Sequence, residues 1–193
     1  RKAKGERECT LERGGRTRKM YDKLLTFLMD TTYKDIPPEV IYQGKRCLID
    51  WIGVTLGGLN HPSTSILIDT VKELGGEKQA TIVGTSVRTS VVNAALVNGA
   101  MSHVLDFDDT HLPALMHPSV PLIPALLAYG EWKNVNGKNF LLSFLLGFEI
   151  ETRISLAMGA SHYAAGWHST ATMGRFGAAA GVGRMAGLKR QEM

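Results

Sequence analysis

The chain has little cysteine and no long apolar run, and these two absences exclude several classes of protein. Only Cys9 and Cys47 occur in 193 residues, and neither belongs to a Cys-x-x-Cys pair. The sequence therefore offers no disulfide framework, and it favours a reducing, cytoplasmic location. The most apolar long stretch, residues 141–150, is interrupted by polar residues and glycine. No segment reaches the roughly 18 to 20 apolar residues that span a membrane.

The positive charge of the chain is concentrated in its first 19 residues. This segment carries eight basic and three acidic residues, whereas the remainder carries 14 basic and 15 acidic residues. A nearly neutral body gives no case for nucleic-acid binding. Residues 1–19 also have no apolar segment, so they do not fit a secretory signal. We expect a disordered extension there, with a basic interaction arm as the alternative.

Apolar residues recur at helical spacing along most of the remaining chain, residues 20–193, which is long enough for one domain with its own core. Residues 79–83 are short and β-branched, and they predict a single strand or an extended link. The sequence therefore predicts an all-α, multi-helix domain with at most one or two short strands. Seven helices are expected, over residues 21–31, 40–56, 65–74, 90–105, 121–132, 140–158 and 170–188.

The last predicted helix is unusually rich in glycine and alanine. Small residues at these spacings let a second helix approach closely, although each interior glycine costs about 1 kcal/mol relative to alanine. A nucleotide-cradling loop is the rival interpretation, but Gly181-Val182-Gly183 does not follow a strand. The chain stops soon after this helix, and we expect it to be the N-terminal part of a longer protein.

Residues 103–117 contain three histidines and three aspartates, and residues 103–111 contain neither lysine nor glutamate. The flanking segments are apolar and helical in pattern. Acids and imidazoles at this density suggest a site lined with proton-transfer groups, since a solvated charge run would contain lysine and glutamate. If the preceding helix continued, His103 and Asp106 would share one of its faces.

Three motifs in this half of the chain resemble the MmgE/PrpD family. They are HVLDFDDTH at residues 103–111, HPSVPLIPALLA at residues 117–128, and GWHST at residues 166–170. The resemblance extends from about Leu24 to the end of the chain. The family includes 2-methylcitrate dehydratases, cis-aconitate decarboxylases and an iminodisuccinate epimerase. It implies a large helical domain followed, later in sequence, by a smaller α/β lid domain that would be absent here.

The resemblance also implies a function and a set of site residues. It suggests a cofactor-independent and metal-free lyase or isomerase that acts on a small polycarboxylate. The full-length protein would be a homodimer, and the fragment alone would be inactive. Asp106, Thr110, His117 and His168 match active-site positions of the family. Among them we assign proton transfer to His117 and imidazole orientation to Asp106. Thr110 and His168 would hold substrate carboxylates, and His168 is also a catalytic candidate.

Other interpretations of the same residues stay open. Asp106 and Thr110 could be caps, His117 a packing residue and His168 a structural histidine, while Asp108 and Asp109 fit caps or turns better than catalysis. A divalent ion in a metal-dependent hydrolase could instead be bound by these side chains: His103, Asp106, Asp108, His111 and His117. A non-catalytic helical interaction module is the third possibility. Two arginines, Arg153 and Arg175, could serve as cations for the substrate. His61 would start a helix.

Overall fold

A computed structural model describes residues 20–193 of the chain, and helices dominate that part. The extension predicted for residues 1–19 lies outside the described residues. The all-α prediction is confirmed, and seven of the helices fall where the apolar periodicity placed them. The helices are α1 (20–30), α2 (Pro38–Gly57), α3 (Pro62–Leu74), α4 (Val91–His103), α5 (Ser119–Lys133), α6 (Gly137–Met158), α7 (Ala160–Ala164) and α8 (Ser169–Ala186). Short 3-10 helices span Tyr33–Asp35 and Leu112–Ala114.

The extended segment between α3 and α4 forms a small hairpin rather than a single strand. Strand β1 (Ala80–Thr81) pairs antiparallel with β2 (Arg88–Thr89), with Ala80 opposite Thr89. Glu131 of α5 fastens the hairpin to the helices, because its carboxylate accepts from the backbone N and Oγ1 of Thr81 at 2.7 Å each. The same carboxylate is ion-paired with Arg88.

Local side-chain contacts explain where several helices begin. His61 precedes α3 and its Nδ1 accepts from the backbone N of Ser63 at 3.3 Å, which confirms that His61 starts a helix. Ser90 and Asn136 cap α4 and α6 in the same way, each accepting from the backbone N three residues later. The segment between α6 and α8 contains the short helix α7, which is not among the seven predicted helices.

Helix α5 occupies the centre of the domain and contacts α4, α6 and α8. Its residues Leu122, Ile123 and Leu126 are fully buried, and Trp51 of α2 and Phe144 of α6 pack into the same cluster. A helix surrounded on several sides carries apolar residues all round. Among residues 20–193, no helix is long and apolar enough to cross a membrane.

The glycines of α8 sit against α5 and α6, as the spacing of small residues predicted. A Cβ added at Gly174 would lie 2.3 Å from Cγ of Pro121, and one added at Gly177 would lie 2.1 Å from Oε2 of Glu151. Neither approach leaves room for a side chain. The glycines are therefore required by the close packing of α8 on its neighbours.

We predict that Gly177→Ala destabilises the domain by about 1 to 3 kcal/mol, the usual cost of overpacking a core. The free energy of unfolding in urea measures this. Gly53→Ala is the matched control, since Gly53 is also inside a helix but has nothing within 4 Å of the added Cβ. That control should gain up to about 1 kcal/mol from helix propensity. Equal gains in both variants would show that the α6–α8 contact is looser than described.

Candidate active site

Three helix ends bring the predicted site residues together. Helix α4 ends at His103, His117 lies two residues before the start of α5, and His168 is the residue that precedes α8. Between α4 and α5 the chain turns at Asp106, which adopts a left-handed conformation with φ 49°. The helix therefore does not continue through Asp106, and the shared helical face considered for His103 and Asp106 does not form.

The centre of the site is the buried carboxylate of Asp108. Both of its oxygens lie 3.1 Å from Nδ1 of His103, and Oδ2 also lies 3.1 Å from Nδ1 of His117. Only 1% of the Asp108 side chain is exposed. One carboxylate thus holds two imidazoles that come from the ends of different helices.

These contacts define which ring nitrogens are available for chemistry. A carboxylate only accepts hydrogen bonds, so Nδ1 of His103, which is hydrogen-bonded to Asp108, must carry the donated proton. The Nε2 atoms of His103 and His117 then remain free to exchange a proton in the neutral rings. The hydrogen bond to Asp108 raises the pKa of His103 above its usual value, although partial burial of the ring acts in the opposite direction.

The predicted residues Asp106 and Thr110 both lie beside His117. Oδ1 of Asp106 is 3.7 Å from Nε2 of His117, and Oγ1 of Thr110 is 3.5 Å from its Nδ1. The backbone N of His117 donates to Oγ1 of Thr170, in the first turn of α8, at 3.0 Å. The sequence analysis did not select Thr170 as a site residue, although it belongs to the third motif.

His168 completes the group through His103. The ring centroids of His103 and His168 are 5.9 Å apart and nearly parallel, and those of His103 and His117 are 5.1 Å apart. His117 and His168 therefore flank one shared ring, close enough for a single small molecule to reach both. Tyr163 of α7 lies on the other side of His168, with centroids 6.3 Å apart.

The two adjacent aspartates have different roles. Asp109 accepts from the backbone N and Oγ of Ser119 at 3.1 and 2.6 Å, so it caps the start of α5 as expected for a cap or turn acid. Burial raises the pKa of Asp109, and these two hydrogen bonds oppose the shift. The same expectation is wrong for Asp108, because its partners are two imidazoles. His111 caps the 3-10 helix at Leu112–Ala114 by accepting from the backbone N of Ala114.

A cavity of about 500 Å³ adjoins the loop that carries Asp108 and is lined on its other side by α2. Arg46 gives it a cation that the sequence analysis missed. The arginines considered earlier have other contacts: Arg153 is ion-paired with Glu149, and Arg175 donates to the carbonyl of Ala171. Arg46, which also donates to Oε1 of Gln43, is the one of the three that lines this cavity.

A second buried acid lies behind the site, between α6 and α8. Glu151 is fully buried, and neither of its oxygens has a hydrogen-bond partner within residues 20–193. Burial raises the pKa of Glu151 well above its usual value, and the nearby charge of Asp109 adds to the shift. The carboxyl of Glu151 therefore ionises at a lower pH in the unfolded chain than in the folded domain. Stability is lost from the ordinary pKa of 4.5 upward.

We predict that Glu151→Gln raises the melting temperature at about pH 8 and that the gain vanishes toward about pH 4, where the carboxyl is neutral in both states. Melting curves across this range test it, with Glu149→Gln on the outer part of α6 as the control. For each unit by which the pKa of Glu151 differs between the folded and unfolded states, the substitution should add about 1.4 kcal/mol to the free energy of unfolding at high pH. Destabilisation by Glu151→Gln at every pH would contradict the assignment of a neutral buried acid.

Comparison with known proteins assigns the family of this helical domain and its histidine–aspartate cluster. Residues 22–193 match the MmgE/PrpD N-terminal domain. The chain therefore belongs to the MmgE/PrpD family, as the three motifs indicated.

Several relatives are similar to most of this chain. It is 30% identical over 174 residues to the cis-aconitate decarboxylase-like protein oryM of Aspergillus oryzae, which covers 86% of the chain and 36% of that protein. It is 31% identical over 156 residues to human cis-aconitate decarboxylase, covering 78% of the chain and 32% of the relative. The 2-methylcitrate dehydratase of Cupriavidus necator is 35% identical over 119 residues, which cover 60% of this chain and 24% of that protein. The chain thus spans about a third of the length of the first two relatives.

Proposed function

We propose that this chain forms the N-terminal helical part of a lyase that moves a proton on a small polycarboxylate. The observation that carries the proposal is the Asp108 carboxylate, which holds Nδ1 of both His103 and His117 at 3.1 Å. An imidazole held in this way has a fixed tautomer and a basic Nε2. The relatives named cis-aconitate decarboxylase and 2-methylcitrate dehydratase support the choice of substrate class.

The proposed chemistry is proton transfer at a carbon next to a carboxylate. Decarboxylation and dehydration of such an acid both require it, and histidine serves as acid or base near neutral pH. We assign the transfer to Nε2 of His117, with Asp106 beside that atom and Asp108 behind the ring. The 5.1 Å separation of the rings makes His103 the partner that accepts or returns a proton.

Binding of the substrate is assigned to groups around the two imidazoles. Thr110 would donate its hydroxyl to one carboxylate, and His168 would hold a second from the far side of His103. A polycarboxylate also needs cations, which we propose come from Arg46 and from a lid domain that follows this segment in the complete enzyme. We further propose that the complete enzyme is a cytoplasmic homodimer that needs no cofactor and that the 193-residue chain alone is inactive.

The direct test is to purify the complete protein that contains this chain and to assay it with cis-aconitate and with 2-methylcitrate. Release of carbon dioxide reports decarboxylation, and formation of the conjugated acid reports dehydration. We expect turnover of one of these acids in the presence of EDTA. His61→Ala, which removes a helix-capping histidine outside the cluster, should leave turnover unchanged. A folded, dimeric protein that turned over neither acid would contradict the proposed function.

A metal-dependent hydrolase is the second candidate, and one observation favours it. His103, Asp106, Asp108 and His117 each offer a ligand atom, and these atoms all lie within 4.8 Å of one another. Hydrolysis of a phosphate ester that required added Zn²⁺ or Mn²⁺ would support this candidate over the lyase. A helical interaction module without catalysis leaves the buried pairing of Asp108 with two imidazoles unexplained.

A further inference from the structure

We propose that the histidine–aspartate cluster binds a divalent ion of the Zn²⁺ type, and that the bound ion switches the proposed lyase off. The cluster offers one ligand atom each from His103, Asp106, Asp108 and His117, all within 4.8 Å of one another. The binding claim stands on this geometry alone. The inhibition claim rests on the function proposed above.

The distances within the cluster suit a tetrahedral ion. Bonds of about 2.0 to 2.2 Å in tetrahedral geometry place neighbouring ligand atoms about 3.3 Å apart. Oδ2 of Asp108 lies 3.1 Å from Nδ1 of both His103 and His117. Two of the distances between ligand atoms therefore already lie near the required spacing. Asp106 is 3.7 Å from the His117 ring, and its side chain is 81% exposed, so it is free to adjust.

The type of ligand atom selects the type of ion. Two imidazole nitrogens and two carboxylate oxygens match the preference of Zn²⁺ and of its spectroscopic substitute Co²⁺. Calcium and magnesium prefer sites made of oxygen alone, so the imidazoles discriminate against them. Two carboxylates also balance the double positive charge of the ion within a half-buried site.

Ion binding at Nδ1 would remove the base that the proposed function requires. In the metal-free site Nδ1 of His103 donates its proton to Asp108, and Nδ1 of His117 lies 3.1 Å from the same carboxylate. An ion on Nδ1 requires the lone pair of that atom, so the ring proton moves to Nε2. No proton is gained or lost overall, but Nε2 of His117 then carries hydrogen and no longer accepts one. The ion also occupies the space between the imidazoles.

Binding is tested by titrating the purified, metal-stripped chain with Co²⁺ and recording the visible absorption of the ion. We expect one Co²⁺ per chain with the intense spectrum of tetrahedral coordination, displaced by Zn²⁺. His103→Ala and Asp108→Asn should weaken binding by about 10²-fold or more, since changes to outer-shell partners alone cost 10- to 100-fold. His61→Ala is the matched control and should bind normally.

Asp106→Asn keeps the test decisive if a buried substitution disturbs the fold, because it removes only the charge of an exposed side chain and leaves the packing unchanged. It should weaken Co²⁺ binding while circular dichroism stays unchanged. Two results would overturn the site. One is a Co²⁺ affinity in all three cluster variants that equals the affinity of the unsubstituted chain. The other is a purely octahedral Co²⁺ spectrum.

Inhibition is tested separately on the complete enzyme. Stoichiometric Zn²⁺ should abolish turnover, and EDTA should restore it in full. Tight Zn²⁺ binding with unchanged turnover would overturn the inhibition while leaving the lyase intact. Loss of turnover on EDTA treatment, with recovery on adding Zn²⁺, would overturn both the inhibition and the metal-free lyase. Absence of turnover with and without the ion would instead count against the proposed function.

Discussion

Asp108→Asn in the complete enzyme should lower kcat by about 10²-fold or more, the scale on which general acid–base groups contribute. The buried carboxylate accepts from Nδ1 of His103, and its Oδ2 lies 3.1 Å from Nδ1 of His117. An asparagine amide carries no negative charge, and its NH₂ group replaces one carboxylate oxygen and cannot accept a hydrogen bond. An imidazole that faces this NH₂ group must accept through Nδ1, which places its own proton on Nε2. The measurement is steady-state kinetics with cis-aconitate and 2-methylcitrate.

Asp109→Asn is the matched control for this substitution. Asp109 is the next residue in the chain, but its carboxylate caps α5 through Ser119. Asparagine is as good a cap as aspartate and can still accept from the backbone N of Ser119, so this variant should keep both its melting temperature and its kcat close to normal. Similar kcat values for the two variants would remove the reason for placing Asp108 at the centre of the site.

The same substitution has an expected effect on the titration of His103. The hydrogen bond to Asp108 is the main cause of the raised pKa of this imidazole. A raised pKa means that the folded state favours the protonated ring. This stabilisation is complete below the ordinary pKa of 6.5 and is lost as the pH rises through the folded-state value. In Asp108→Asn the His103 resonances should titrate at lower pH, and an unchanged titration would contradict the pairing.

The helical architecture follows from local signals and could be predicted from the sequence. Pro38 in the first turn of α2, His61 before α3 and Gly187 after α8 mark helix ends through contacts with near neighbours. The short helix α7 was missed because its five residues bury no side chain and so show no apolar period. The hairpin was missed in part because its second strand, Arg88–Thr89, is only two residues long.

The role of Asp108 could not be predicted in the same way. Its partners lie five residues before it and nine residues after it, and the chain reverses between them through the left-handed turn at Asp106 and the bridge of His111 with Met116. Aspartates near a helix end are usually caps, and Asp109 obeys that rule. Which of two adjacent acids points inward depends on the path of the loop. The spacing of residues in the sequence does not reveal that path.

The packing of α8 lies between these two cases. The glycine spacing predicted that another helix would approach closely, and it does. The spacing did not show that the neighbour at Gly177 would be the carboxyl of Glu151, since that depends on how α6 is rotated. A glutamate inside an apolar helix looks like a solvent-facing residue in sequence. Its burial is a property of the assembled domain.

His117→Ala should reduce kcat by about 10² to 10⁴-fold while changing KM little, because it removes the group assigned to proton transfer. His117 is anchored by its backbone N to Thr170, and this contact survives truncation of the side chain. The 193-residue chain should therefore unfold at nearly the wild-type temperature. His168→Ala, which removes a proposed carboxylate contact, should instead raise KM more than it lowers kcat.

Imidazole added to the buffer distinguishes a catalytic role for His117 from a structural one. The truncated side chain leaves a space beside Asp108, whose carboxylate is positioned to bind and orient a free imidazole as it does the ring. Partial recovery of kcat in His117→Ala, and no recovery in a His117→Ala, Asp108→Asn double variant, is the expected pattern. If His117→Ala kept wild-type turnover without added imidazole, proton transfer would have to be reassigned to His103, whose Nε2 is the other free nitrogen held by the same carboxylate.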